Sequence, residues 1–272
     1  MTLQRRPPST PRSLILVFVA ALACNQGAAP PEYNPLQPTA ISRTPAMASS
    51  HESPGLVPIN DQPWDGVMGN GWRYLRRASS KDAQVIADAT APFSPPNVLR
   101  IVFTPDMRRD HEPSVHWMSL PNVREAYSAW WIKLSANWKA SPAGGGKIAF
   151  LWAPSGQGQV YSNIGGAGAP HRININTEWA PYGQKFWEPN VTMTPVDYDR
   201  WYRIEWYTKW ESARGAGDGV MRWWVDGALN GDYRDVRFPG CCFLQFEFAP
   251  TLQVPPSAEQ HMYIDHTYVS AR

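Results

Sequence analysis

The chain is poor in charge, in cysteine and in long apolar runs, and each shortage excludes something. Charged residues are 18% of 272, and the 25 Lys and Arg include Arg5, Arg6 and Arg12 of the first 24 residues. The remaining 22 face 23 Asp and Glu, so the body has no basic excess, and nonspecific nucleic-acid binding is excluded. Three cysteines and six scattered histidines show no metal-ligand spacing, so no metal site is expected. Beyond residue 23 no segment is apolar over the roughly 20 residues that a membrane helix needs. Apolar residues still reach 43%, enough for a sizeable core and too many for a disordered chain. Trp, at 14, outnumbers both Tyr and Phe, which points to flat apolar contact surfaces.

The N-terminus reads as a targeting signal. Three arginines precede an unbroken apolar run of ten, Leu14 to Ala23, too short to span a bilayer and matching a secretory core. The run closes on Ala21-Leu22-Ala23-Cys24, which suits ordinary cleavage and also resembles a bacterial lipobox, with Ala at −3 where Leu is usual. Residues 1–24 are therefore expected to be a signal peptide, with Cys24 the lipidated residue. Residues 25–63 hold eight prolines among many Ala, Ser and Thr, and read as an extended tether.

From Trp64 onward the pattern is β. Val98–Phe103, Arg172–Asn176, Trp201–Trp210, Val220–Val225, Phe243–Phe248 and Met262–Ser270 read as strands separated by Gly and Pro turns, and Asp226-Gly227 is a tight-turn signal. Residues 122–136 also fit a helical spacing, with Asn122 and Glu125 placed for a capping box. The strand reading is preferred because a lone helix suits these neighbours poorly. It sets Trp130, Ile132 and Leu134 against Tyr127, Ala129, Trp131 and Lys133. Short strands without intervening helices predict an all-β jelly-roll sandwich of two antiparallel sheets over residues 64–272.

Alternation splits each strand into a core face and an outer face. Ile173 and Ile175 inward leave Arg172, Asn174 and Asn176 outward. Cys242, Leu244, Phe246 and Phe248 inward leave Gln245 and Glu247 outward. Val115 and Trp117 inward leave His116 outward with Ser114 and Met118. Tyr202, Ile204 and Trp206 oppose Arg203, Glu205 and Tyr207. Outer faces sharing one curved sheet would line a groove with His116, Trp131, Asn174, Asn176, Glu205, Gln245 and Glu247. Amides and charges satisfy sugar hydroxyls as donors and acceptors, and aromatic rings cover the C–H side of a pyranose. The bland alternative is an ordinary solvated sheet face.

Trp201-Tyr-Arg-Ile-Glu-Trp-Tyr207, Asp218-Gly219, Trp224-Val-Asp-Gly227 and Tyr263-Ile-Asp-His266 with Val269-Ser270 resemble the C-terminal half of concanavalin A-like jelly rolls. They are most similar to those of alginate- and glucuronan-degrading polysaccharide lyases. Tyr127 to Trp138 followed by Gly145-Gly146-Lys147 resembles the middle of that domain. The resemblance implies β-elimination: a base takes the C5 proton of a uronate, a cationic or amide group neutralises its carboxylate, and an acid protonates the leaving O4. It implies a groove lysine at Lys147, a basic residue at Arg172, and a tyrosine at Tyr182 or, on the intervening segment, Tyr161. The Pro-Gly that follows the lysine in these lyases is absent, since the chain reads Lys147-Ile-Ala-Phe150.

Other constellations lead nowhere. Gly144-Gly-Gly-Lys147 lacks the first glycine and the hydroxyl residue of a phosphate loop. Adjacent Cys241 and Cys242 bond only with strained peptide geometry, so free buried thiols are expected. No cofactor is expected; a structural calcium is left open, with Asp265 a candidate ligand. The expectation is thus a monomeric, secreted or membrane-anchored bacterial envelope protein whose partner is a polysaccharide, acidic if the resemblance holds. Whether it cleaves that polymer or only binds it stays open between a lyase and a noncatalytic glycan-binding or cell-surface module.

Overall fold

The computed structural model describes residues 49, 51–66, 69–76, 82–93, 96–141, 145–154, 157–179, 183–238 and 241–272. The described residues form strands and no helix. In chain order these are β1 (Val57–Gln62), β2 (Arg73–Arg76), β3 (Ala83–Ala87), β4 (Asn97–Phe103), β5 (Ser114–Val123), β6 (Glu125–Leu134), β7 (Gly146–Trp152) and β8 (Gly158–Gly165). They continue as β9 (Arg172–Trp179), β10 (Gly183–Trp187), β11 (Trp201–Lys209), β12 (Gly219–Val225), β13 (Ala228–Val236), β14 (Phe243–Thr251) and β15 (Gln260–Ala271).

Two antiparallel sheets result. One has eight strands in the order β13-β12-β11-β6-β15-β4-β3, with β1 also on β15; the other has seven, β10-β9-β8-β7-β14-β5-β2. The twelve residues of β15 divide their outer edge: Gln260–Ile264 pair with β4, and Thr267–Ala271 pair with β1. The core lies between the sheets. Trp130 and Ile132 of β6, Ile204 and Trp206 of β11 and Ile264 of β15 are buried in one cluster with Ile148 and Leu151 of β7, Ile173 and Ile175 of β9, and Phe246 and Phe248 of β14. Each such side chain contributes about 1.5–3 kcal/mol of burial. The Trp223 indole N–H of β12 donates across the gap to the Ile173 carbonyl of β9 at 3.0 Å.

The preferred strand reading holds where the helical spacing competed. Asn122 takes a left-handed φ of 58°, and Arg124 separates β5 in one sheet from β6 in the other. The apparent capping box is thus a corner between sheets. Asp226 (φ 49°) and Gly227 (φ 78°) form the expected turn between β12 and β13.

Four expectations are corrected. The folded part begins before Trp64, because Val57–Gln62 is β1; Pro58, which has no N–H to give, sits where the β1–β15 register shifts. The faces of β5 are reversed. Register sets His116 opposite Phe248 and Met118 opposite Phe246, so Ser114, His116 and Met118 turn inward and Val115 and Trp117 outward. A register shift after Phe243 turns Leu244 out to solvent while Phe243 is buried. Cys241 and Cys242 are not free thiols but are disulfide-bonded to each other.

Candidate functional site

Directly opposed residues on paired strands share a face, and the register of the seven-stranded sheet carries one row across all its strands. The row runs Arg73, Trp117, Glu247, Phe150, Tyr161, Asn176, Phe186, from β2 to β10. A second row beside it runs Ser119, Gln245, Trp152, Gln159, Glu178, Gln184. Lys147, Asn163 and Asn174 pair on the other side. All lie on the outer face, away from the core. A register shift between Lys147 and Phe150 is what brings both onto it, since simple alternation would set them on opposite sides.

Aromatic rings pave the middle of this face. Phe150 and Trp152 stack with centroids 5.8 Å apart, Tyr161 lies 5.2 Å from Phe150, and the Arg73 guanidinium sits 4.8 Å over Trp117. Polar groups flank the rings. Asn163 donates to the Asn174 side-chain oxygen at 3.0 Å, and Asn174 donates to that of Asn176 at 2.8 Å. Each of these two donating amides keeps a second N–H. Gln184 donates to the Tyr161 hydroxyl at 2.5 Å, and Gln245 donates to Glu247. The Lys147 ammonium lies 4.6 Å from the Tyr161 ring centre and 3.9 Å from the Glu178 carboxylate. Burial pushes the Tyr161 phenol above its ordinary value and Glu178 adds to that, against the hydrogen bonds of Asn176 and Gln184. Tyr161 is therefore a protonated phenol beside the Lys147 nitrogen and a chain of amides.

The sequence-derived candidates divide accordingly. Lys147, Arg172, Asn174, Asn176, Gln245 and Glu247 share this face. Arg172 is at its margin, held by Glu188 through Nε at 2.6 Å and a second guanidinium nitrogen at 3.2 Å. Three others are elsewhere. His116 is fully buried between the sheets, where its ring stacks on Tyr74 at 4.9 Å and burial pushes its pKa down to about 3. Trp131 and Glu205 belong to β6 and β11 of the opposite sheet. Alternation had their outward direction right, but it does not say which sheet a strand joins. Tyr182 and Cys24 lie outside the described residues. Asp265 accepts the Phe93 backbone N–H at 2.8 Å, and among the described residues no group of three His, Cys, Asp or Glu converges as a metal cage would.

Sequence reasoning missed Trp117, Phe150, Trp152, Asn163 and Gln184. Asn163 and Gln184 become visible once β8 and β10 are known to flank β9. The outward setting of Trp117 and Phe150 depends on partner register, which no pattern within one strand reveals.

No family model and no curated protein sequence matches the chain. Solved structures do. An endo-β-1,4-glucuronan lyase from the fungus Trichoderma reesei superposes with a TM-score of 0.54 at 16% identity, over 78% of this chain and 94% of that one. An alginate lyase from a Chlorella virus gives 0.51 at 13% identity, over 74% and 93%. A prokaryotic β-1,3-1,4-glucanase derived from a mouse hindgut metagenome gives 0.50 at 11%, over 78% and 98%. The fold is a jelly-roll sandwich of two antiparallel sheets, as the sequence implied.

Proposed function

We propose that the outer face of the seven-stranded sheet binds an acidic polysaccharide and cleaves it by β-elimination. The observation that carries this reading is the Lys147–Tyr161 pair, 4.6 Å from ammonium to ring centre, beside the Asn163–Asn174–Asn176 amide chain. Two of the similar solved structures are named as a glucuronan lyase and an alginate lyase, which supports the same chemistry. In this scheme the remaining amide N–H groups of Asn163 and Asn174 hydrogen-bond the uronate carboxylate and take up charge as the C5–H bond weakens. The Lys147 amine takes the C5 proton. The C5–H electron pair becomes the C4–C5 double bond, the C4–O4 bond breaks, and the Tyr161 phenol gives its proton to O4. Phe150 and Trp152 support the C–H face of the sugar. The scheme asks for no cofactor.

The test is ultraviolet absorbance of the unsaturated product on polyglucuronate and on alginate, with binding measured in parallel. Wild type should generate the absorbance, and Lys147→Ala should lose it while still binding. Binding without product in the wild type would sink the lyase and leave the noncatalytic glycan-binding module. The rate should fall only above the ordinary phenol range, because burial and Glu178 raise Tyr161. We also propose that the protein works outside the cytoplasm on a lipid at Cys24. Fatty-acid labelling should mark wild type and miss Cys24→Ser.

A further inference from the structure

A cavity opens on the other side of the molecule. It has a volume of about 620 Å³ and opens on the outer face of the eight-stranded sheet, between Trp131, Trp201, Arg203, Glu205, the Asp226-Gly227 turn and residues Ser49 and His51. Nothing in the lyase scheme uses it. We infer that it is a second glycan site, for an uncharged saccharide.

The argument starts from the walls. Trp201 pairs with Lys133 and Arg203 pairs with Trp131, so the two indoles are diagonal neighbours on one face. Lys133 lies over the Trp201 ring at 4.9 Å, and the Trp201 N–H donates to the Thr90 hydroxyl at 3.0 Å. These contacts hold that indole upright on an otherwise exposed margin. The third wall is His51, stacked on Trp224 with centroids 4.7 Å apart and only 4° between planes. Three ordered ring systems around a volume that falls within the usual range for ligand sites suit the apolar C–H faces of a pyranose.

Charge then selects the ligand. Glu205, at the floor, accepts from the Tyr127 hydroxyl at 2.6 Å, lies 3.4 Å from the Arg203 guanidinium and 3.1 Å from His51 Nδ1. Asp226 accepts the Arg203 backbone N–H at 2.8 Å and lies 3.3 Å from Arg200. Every charge in the cavity already faces its opposite. A carboxylated or cationic ligand would be desolvated there without gaining a partner. A neutral sugar brings hydroxyls, which share the spare lone pairs and N–H groups of such pairs at no charge imbalance. Gly227 leaves the rim open, with nothing within 4 Å of where a Cβ would stand. This is the reverse of the seven-stranded face, where Lys147 lies near Asn163 and Asn174, each with a second N–H that no described residue accepts.

The experiment is calorimetric titration of the full chain with cellohexaose and maltohexaose as neutral probes. Wild type should bind at least one of them. Trp131→Ala and Trp201→Ala should each weaken that binding by about tenfold, while Lys147→Ala leaves it unchanged. Thermal melts establish that the variants fold. A second measurement needs no variant: a saturating neutral probe should leave polyglucuronate binding to the wild type unchanged. No neutral binding, binding that survives loss of both indoles, or competition between neutral probe and acidic polymer overturns the inference. The inference stands or falls apart from the elimination chemistry, because none of these readouts is turnover.

Discussion

The two outer faces use polar residues in opposite ways. On the eight-stranded sheet the carboxylates are tied down: Glu205 by Tyr127, Arg203 and His51, and Glu125 by Nε and one terminal nitrogen of the Arg272 guanidinium, each at 3.0 Å, and by Lys209 at 3.3 Å. On the seven-stranded sheet neutral amides link to one another, and among the described residues Lys147 has one carboxylate within 4 Å, Glu178 at 3.9 Å. Closed ion pairs fix a surface but have little left to give a charged ligand. Asn163 and Asn174 each keep a second N–H that no described residue accepts, which an anionic substrate can take. The contrast separates structural polarity from polarity kept for chemistry.

The largest effect that would break the comparison is on turnover. Tyr161→Phe removes one hydroxyl from a buried ring and keeps its packing against Phe150. Loss of a positioned acid should lower turnover by about 10²–10⁴-fold, with polymer binding retained. Unchanged turnover would show that Tyr161 is only part of the sheet's packing.

A second effect tests the assignment of β5, which decides what each side of the seven-stranded sheet presents. Burial depresses His116 to about 3, against an ordinary value near 6.5. Above pH 6.5 the ring is neutral folded and unfolded, so it adds no pH dependence. Below that, the unfolded chain takes up a proton that the folded chain refuses, and stability falls with pH by about 1.4 kcal/mol per unit until about pH 3. Between pH 6.5 and 4 this amounts to roughly 3 kcal/mol. Urea melts should show His116→Phe less acid-sensitive than wild type by about that amount. Parallel pH curves would mean the imidazole is solvated, and that β5 faces the other way.

A smaller effect belongs to the tied-down face. Burial opposes ionisation of Glu125, but hydrogen bonds from Arg272 and Lys209 outweigh it and hold its pKa below the ordinary carboxylate value. Its stabilising contribution is therefore present at neutral pH and lost as pH falls below about 4.5. Glu125→Gln should cost about 1–2 kcal/mol at pH 7, at the low end for charged hydrogen bonds because both cations are half exposed. Turnover at 25 °C should not change. A stability loss near zero would mean that these pairs are held no better than ordinary surface ions.

Much of this organisation was legible in the sequence, and the misses have a common cause. Period-2 alternation set Ile173 and Ile175 against Asn174 and Asn176, and Tyr202, Ile204 and Trp206 against Arg203 and Glu205, as found. Asp226-Gly227 announced its turn through the φ > 0 that both residues accept. What failed depends on partners. Val115 and Trp117 look like a core pair until Phe150 and Tyr161 are seen to bury Val115 from the outer side. Lys147 and Phe150, and likewise Phe243 and Leu244, straddle register shifts that no alternation rule anticipates. Glu205 points outward as expected, yet from the other sheet. Direction is a local property of a strand, whereas sheet membership is set by long-range pairing.

The smallest expected effect sits where the two kinds of polarity meet. Arg172 shares the face of Asn174 and Asn176, but unlike them it is already in a two-point pair with Glu188. Both side chains are more than a third exposed, at 37% and 48%, so the pair itself is worth well under about 1 kcal/mol. An acidic polymer passing this margin gains a guanidinium but also meets the Glu188 carboxylate. Arg172→Ala should therefore weaken polyglucuronate binding by only about two- to fivefold, or up to about 1 kcal/mol, and less at high salt. Glu188→Gln should do the opposite, freeing the guanidinium and tightening binding by a similar factor. If Arg172→Ala instead costs a hundredfold, the margin is the centre of the site, and the Lys147–Tyr161 pair is not where the uronate is held. If neither variant changes affinity, the polymer's path ends before β9 reaches Arg172.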